Sequence, residues 1–417
     1  MDSLLEQEQR RDTRLKPRQE DQLDKSTARI RVAIFATHPV QYQVPWFQAL
    51  ARQPQLQLKV YFALLPDSEQ QGVGFNVPFA WDIPMFEGYE WQALTNKGKR
   101  PGLTGFFSNS TPSIRAVLAS YRPDVVIITG WHALPLLQAL WACMVLHIPR
   151  IVRGESNALH LRRGWIRMLH RMLVSRYDAY LAIGRANREF YLGYGVEPAR
   201  LFPCRYFVDN QALRDRFDSV KPDRMALRAK WGIPESAFCF LYVGKLQPKK
   251  RILDLLQALR IAMPSRSDLH LLIVGTGELE QEARSLVVED RLPVSFAGFL
   301  NQTELPQAYA VGDCLVLPSD YGETWGLVVN EAMVCGLPAI VSDRVGCGPD
   351  LVEPGVTGEV FPFGDVQALA DCLSILAADR ARTGALGRRA EERIRDYSVE
   401  HAVTGTLRAI DFVLGGA

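Results

Sequence analysis

Residues 318–338 read PSDYGETWGLVVNEAMVCGLP. The apolar run Cys314-Leu315-Val316-Leu317 just before them has the length of a buried strand. A loop with Ser319, Asp320 and Gly322 follows, and then a short helix from about Trp325 or Gly326 to Cys335. Gly336 and Pro338 end that helix in the usual order, a permissive residue at the cap and a helix breaker beyond it. Pro338 to Ser342 reads as the next strand. Strand, loop, helix, strand is the unit of an open α/β sheet, and ligands bind at such strand-to-helix loops.

Two carboxylates, Glu323 and Glu331, flank the helix start with seven residues between them. Both can face the space before the helix N-terminus, where unpaired N–H groups and the dipole attract phosphate. A carboxylate there repels phosphate, so it serves as an acceptor for hydroxyls, and sugars are rich in hydroxyls. A diphosphate with a sugar at each end, a nucleotide-sugar, fits both halves of the site. An isolated pair of this spacing would be an ordinary loop glutamate and a solvated helix glutamate. The whole segment, however, resembles the signature of the retaining glycosyltransferases of the GT-B fold, family four. Proline-serine, the loop glutamate, aromatic-glycine-leucine, the second glutamate with Ala332-Met333, and Gly336-x-Pro338 are all present.

Length and composition bound the rest. A chain of 417 residues exceeds one ordinary core and suggests two or three domains. The hydrophobic fraction of 47% and the charged fraction of 23% are those of a globular protein. A net charge of +2 gives no case for a nucleic-acid partner. No apolar run is long enough to span a bilayer, and no signal peptide is recognised. Seven scattered cysteines fit reduced thiols in the cytoplasm rather than a disulfide or zinc framework.

Upstream of the signature, Phe238 to Val243 reads as a strand ending at Gly244-Lys245-Leu246, with Lys250 close behind. Two cations on a short loop can bracket a diphosphate and stabilise its charge as it leaves. The family has arginine directly after that glycine and lysine five residues later. Lys245 and Lys250 stand at these positions, and Arg251 replaces the usual following glycine. The lone Gly275-Thr276-Gly277 does not extend to a dinucleotide fingerprint, so a nicotinamide enzyme is disfavoured. By resemblance, the turn at Gly298-Phe299 lies near the nucleotide base.

The first half matches the family more loosely. Ile30 to Ala36 reads as a strand, and the loop Thr37 to Gln43 leads into a helix near 44–52. Relatives carry glycines in this loop; here His38-Pro39 and Gln41 suggest an acceptor or sugar contact instead. Pro66 to Thr111 is weakly periodic and should hold loops and short elements. Pro123 to Ile128 reads as a central strand with His132 on the loop after it, where the resemblance places a sugar contact. Residues 158–177 form a basic amphipathic segment with Arg162, Arg163, Arg167, Arg171 and Arg176 and no acids. Core packing of its apolar stripe with a solvated basic face is the first reading. Peripheral contact with anionic lipid at the cytoplasmic membrane face is the second.

The expected architecture is α/β, two Rossmann-like domains facing each other across a cleft. Residues 1–28 are expected to be a disordered or partly helical polar tail, 29–210 an acceptor domain, 211–398 a nucleotide-sugar domain, and 399–417 a helix crossing back to the first. The resemblance implies a hexosyltransferase with Glu323, Lys245, Lys250 and His132 as catalytic residues. Gly244, Phe299, Gly326, Leu327, Val328 and Glu331 would hold the donor, with His38 and Gln41 as acceptor or sugar contacts. There is no Asp-x-Asp, so no metal or other cofactor is implied. An epimerase of similar architecture, or a subunit that binds nucleotide-sugar without turnover, are the alternatives.

Overall fold

The computed structural model describes residues 29–160 and 162–415. The 1–28 tail read from sequence lies outside them. Runs of Val, Ile, Leu and Phe alternate with helices along the chain and build two separate parallel sheets. The first contains β1 (Ile30–Ala36), β2 (Leu56–Phe62), β3 (Glu90–Ala93), β4 (Val125–Ile128), β5 (Arg150–Val152), β6 (Ala179–Ala182) and β7 (Leu201–Pro203), in the order 3-2-1-4-5-6-7. The second contains β8 (Phe238–Val243), β9 (Leu269–Val274), β10 (Val294–Gly298), β11 (Cys314–Leu317), β12 (Ala339–Ser342) and β13 (Gly358–Phe361), in the order 10-9-8-11-12-13.

Parallel strands are covered on both faces, which is why they read as unbroken apolar runs. Side chains of β8 show the division: Phe238, Phe240 and Tyr242 enter one core, Cys239, Leu241 and Val243 the other. In each sheet the strand order reverses once, between β1 and β4 and between β8 and β11. Loops leaving the carboxyl ends of strands at such reversals form the ligand crevice of open α/β sheets. Those loops carry residues 37–43, 129–132, 244–251 and 318–326, so topology alone brings the candidate residues toward one another.

The last helix, Val399–Val413, returns to the first sheet, with Ala402, Val403, Ala409 and Ile410 buried in its core. Ser398 caps it by accepting a hydrogen bond from the His401 N–H. Trp46 Nε1 donates to Thr406 Oγ1 at 3.2 Å. At Gly405 a Cβ would lie 1.6 Å from the Pro203 carbonyl oxygen, so only glycine permits this crossing. Gly405→Ala is therefore expected to lower stability by about 3 kcal/mol through overpacking against backbone that cannot yield. Gly384→Ala, in the open interior of the helix Arg380–Ile394, should raise it slightly. Thermal melts of the two variants should shift in opposite directions.

Of the stripe in segment 158–177, Leu173 packs against the first-domain core and the four larger residues before it do not. The helix there spans Gly164–Val174, and its large apolar residues Trp165, Met168, Leu169 and Met172 face solvent. That face of the sheet is already filled by Leu136, Cys143, Phe190 and Tyr191 from neighbouring helices, so the helix joins the core only at its end, through Leu173 and Val174.

Candidate active site

A cavity of about 320 Å³ lies between the two sheets. It is lined from the second domain by Gly244, Lys245, Lys250, Phe299, Val328 and Glu331. Gln41, Tyr42, Phe75 and Trp81 close it from the first. Seven residues singled out in the sequence thus share one space.

The signature loop runs from β11 into the helix Leu327–Val334. Gly326 is the turning point, at φ 101°, with Leu317 and Val345 where a side chain would go. Trp325 is buried, and its Nε1 donates to Asn330 Oδ1 at 2.8 Å; Asn330 Nδ2 donates to the Tyr206 carbonyl at 2.9 Å. The loop is thereby fixed to the segment that joins the domains. Glu323 pairs with the Lys250 ammonium, both side chains being about 15% exposed. Glu323 does not line the cavity itself; it reaches it through Lys250. Leu327 is half-buried, just behind the turn.

Glu331 is 2% exposed and accepts a hydrogen bond from Tyr309 Oη at 2.5 Å and another from Tyr42. Burial pushes its carboxyl up to about 7, and the two phenol hydroxyls oppose that rise. Tyr42 comes from the loop after β1 and Tyr309 from the helix Leu305–Val311. Sequence reasoning assigned neither a role. The aromatic beside Gln41 was visible, but nothing local said that it crosses the cleft.

Lys245 donates to the Val73 carbonyl at 2.7 Å, and its ammonium lies 4.6 Å from the centre of the Phe75 ring. Burial, with Lys249 and Lys250 nearby, holds its pKa below the ordinary lysine range. Residues 73–82 run across the cavity mouth as a strap. Thr276 Oγ1 bonds the Phe75 carbonyl, Asn301 Nδ2 donates to Ala80 at 2.7 Å, and the Thr303 N–H donates to Asp82 at 3.1 Å. Phe79 packs on Phe299 with ring centres 4.4 Å apart. The long 66–111 region is therefore anchored on the second domain, and the two lysines each have partners within the chain.

His38 and His132 are brought together at the rim of the first domain, outside the cavity lining. Burial, reinforced by His132, lowers His38 to about 4. His132 is exposed at its surface, yet the protein packed around it lowers its pKa, while Glu155 opposes the shift. Glu155 accepts from Tyr206 Oη at 2.5 Å, and Asn157 Nδ2 donates to the Thr324 carbonyl at 3.0 Å. The loop after β5 thus fastens the catalytic loop candidate to the first domain, a function the turn 153–157 did not advertise. Among the described residues no cluster of three or more His, Cys, Asp or Glu side chains is arranged to hold a metal ion.

Residues 223–393 match the protein-family model of the glycosyl transferases group 1. The similarity to that family thus lies in the second domain. Several curated glycosyltransferases are similar to parts of the chain. A sulfoquinovosyl transferase of Arabidopsis thaliana is 29% identical over 70% of this chain and 58% of its own length. An N-acetyl-alpha-D-glucosaminyl L-malate synthase of Bacillus anthracis is 33% identical over 42% of this chain and 45% of its own. The chain spans about half the length of the curated relatives it matches. In shape it is similar to Anabaena HepE, solved with UDP and glucose, at a TM-score of 0.67 and 17% identity over 91% of this chain and 98% of that one. Sucrose-phosphate synthase of Thermosynechococcus elongatus gives 0.67 and 21% over 93% and 100%. The architecture is accordingly that of GT-B glycosyltransferases, two Rossmann-like domains across a cleft.

Proposed function

We propose that this protein is a retaining family-four glycosyltransferase that moves a sugar, of hexose type, from a nucleotide-diphospho-sugar to a hydroxyl acceptor without a metal. One observation carries the reading: Lys245, Lys250, Glu331 and the turn into the helix Leu327–Val334 surround a single interdomain cavity, with Glu323 one ion pair behind. Cations, a helix N-terminus and hydroxyl acceptors are the complement of a sugar diphosphate. HepE, of similar shape, holds UDP and glucose, which supports a donor of this class.

In this reading the donor exchanges partners with the chain. Its diphosphate takes the two ammonium groups and the N–H groups near Gly326, Leu327 and Val328, displacing Val73 and releasing Glu323. Glu323 then holds hydroxyls of the transferred sugar, and Glu331 accepts from the ribose in place of Tyr42. As the glycosidic bond breaks, negative charge builds on the diphosphate, and fixed cations stabilise that charge more than the ground state. The acceptor attacks on the face the diphosphate leaves, so no protein nucleophile is needed. His38, Gln41 and His132 supply the acceptor side from the first domain. Free cysteines, six of the seven buried, fit a cytoplasmic setting.

The test is release of nucleoside diphosphate from UDP-, GDP- and ADP-sugars, each with and without a panel of hydroxyl acceptors, after a thermal-shift screen. Acceptor-dependent release with an unchanged anomeric configuration in the product is expected. Release from none of the donors, or a donor lodged away from Lys245 and Lys250 in a soaked crystal, ends the reading.

A further inference from the structure

The helix Gly164–Val174 plays no part in the cavity. Its residues fall into three lanes. Ile166, His170, Leu173 and Val174 face the domain, with Val174 fully buried and the His170 ring 5.9 Å from that of Trp131. Trp165, Met168, Leu169 and Met172, three and four residues apart, form a second lane and are 65, 65, 52 and 55% exposed. Arg167 and Arg171, four apart, run beside it, with Arg163 and Arg176 at the two ends.

An outward apolar lane of four large side chains is unfavourable in water and marks a surface that something covers. The charge beside it says what. No acidic residue occurs between Glu155 and Asp178, and Asp178 is committed to Arg150. Arg163, Arg167, Arg171 and Arg176 take part in none of the ion pairs among the described residues. The whole chain carries only +2, so this helix holds positive charge that the remainder of the molecule offsets. A row of arginines flanking Trp, Met and Leu is the pattern of a helix lying in the headgroup plane of an anionic bilayer. A basic second copy would be repelled by the same arginines.

We propose that this helix docks the protein on an anionic lipid surface, the apolar lane entering the headgroup boundary and the arginines binding lipid phosphates. The helix is also joined to the cleft. His160, just before it, packs on Tyr321 with ring centres 4.6 Å apart, and Asn157 holds the Thr324 carbonyl. A docked helix sets the lip of the cleft beside the membrane.

Cosedimentation of the full chain with vesicles tests this, using phosphatidylcholine alone and phosphatidylcholine mixed with phosphatidylglycerol. Partitioning onto the mixed vesicles should exceed that onto neutral ones by about tenfold or more and fall with added salt. Arg167→Glu with Arg171→Glu, and separately Trp165→Ser with Leu169→Ser, should each reduce it by about tenfold while leaving the melting temperature unchanged. Equal partitioning on the two vesicle types, or an undiminished signal in the charge-reversed variant, overturns the proposal. So does light scattering that shows a dimer which Trp165→Ser with Leu169→Ser dissolves, with no vesicle binding at all. No donor or acceptor enters the readout, so its outcome is separate from that of the transferase reading.

Discussion

Lys250→Ala is expected to slow turnover by about 10²–10³-fold, the effect of removing one preorganised group from a charge-developing transition state. The KM for donor should change far less, because the diphosphate in the ground state keeps Lys245 and the backbone N–H groups. A structural consequence accompanies the kinetic one. Lys250 and Glu323 are paired and mostly shielded from water, so removing the ammonium strands a carboxylate and costs roughly 2 kcal/mol of stability. Two variants separate these effects. Lys250→Met with Glu323→Gln removes both charges and should recover most of the stability, yet turnover should stay at or below the level of Lys250→Ala. Steady-state kinetics beside chemical denaturation gives both numbers. If the double variant regains activity along with stability, the lysine is a structural partner of Glu323 and its assigned role is wrong.

Glu331→Gln should weaken nucleotide binding by about 10–100-fold, since ribose hydroxyls donate to a carboxylate more strongly than to an amide. The pH dependence is more specific. Burial lifts the Glu331 carboxyl from 4.5 to about 7. Between those values the folded chain holds a proton that the unfolded chain has released. Its contribution to stability is full below about 4.5 and is lost as pH rises through about 7, a change of about 3 kcal/mol. His38 and His270, both lowered to about 4 by burial, act in the opposite direction. The informative quantity is therefore the difference between wild type and Glu331→Gln, measured by denaturation from pH 5 to 8. That difference should shift in favour of the glutamine variant as pH rises and level off above about 7. Nucleotide affinity of the wild type should rise over the same window, because donated hydrogen bonds favour the ionised carboxylate. A flat difference across the window would remove the argument that Glu331 sits protonated among Tyr309 and Tyr42.

How much of the candidate site was legible depended on whether its parts are local. The run from Cys314 to Pro338 announces strand, loop and helix by apolar length, a glycine at the turn and a glycine-proline stop, and the structure has β11 and the helix Leu327–Val334 there. Gly244, Lys245 and Lys250 follow an equally plain strand, β8. By contrast, β3 and β7 are short edge strands, four and three residues long, with few buried side chains, so neither shows the apolar run of a central strand. The strap at residues 73–82 has no periodicity of its own; its course is set by Thr276, Asn301 and Thr303 on the other domain.

Sequence by itself determined the class of the fold and the identity of the charged residues around the cleft, because strand-forming runs, turn glycines and the spacing of Glu323 and Glu331 are properties of neighbouring positions. Only the tertiary structure decided that Tyr42 and Tyr309 close on Glu331, that Val73 occupies Lys245, and that the apolar lane of Trp165 and Met168 points to water. A helical repeat specifies that a helix has two unlike faces, but which face is buried depends on what already covers the sheet. Residues far apart in the chain meet through packing, and nothing in the stretch around either one encodes the partner.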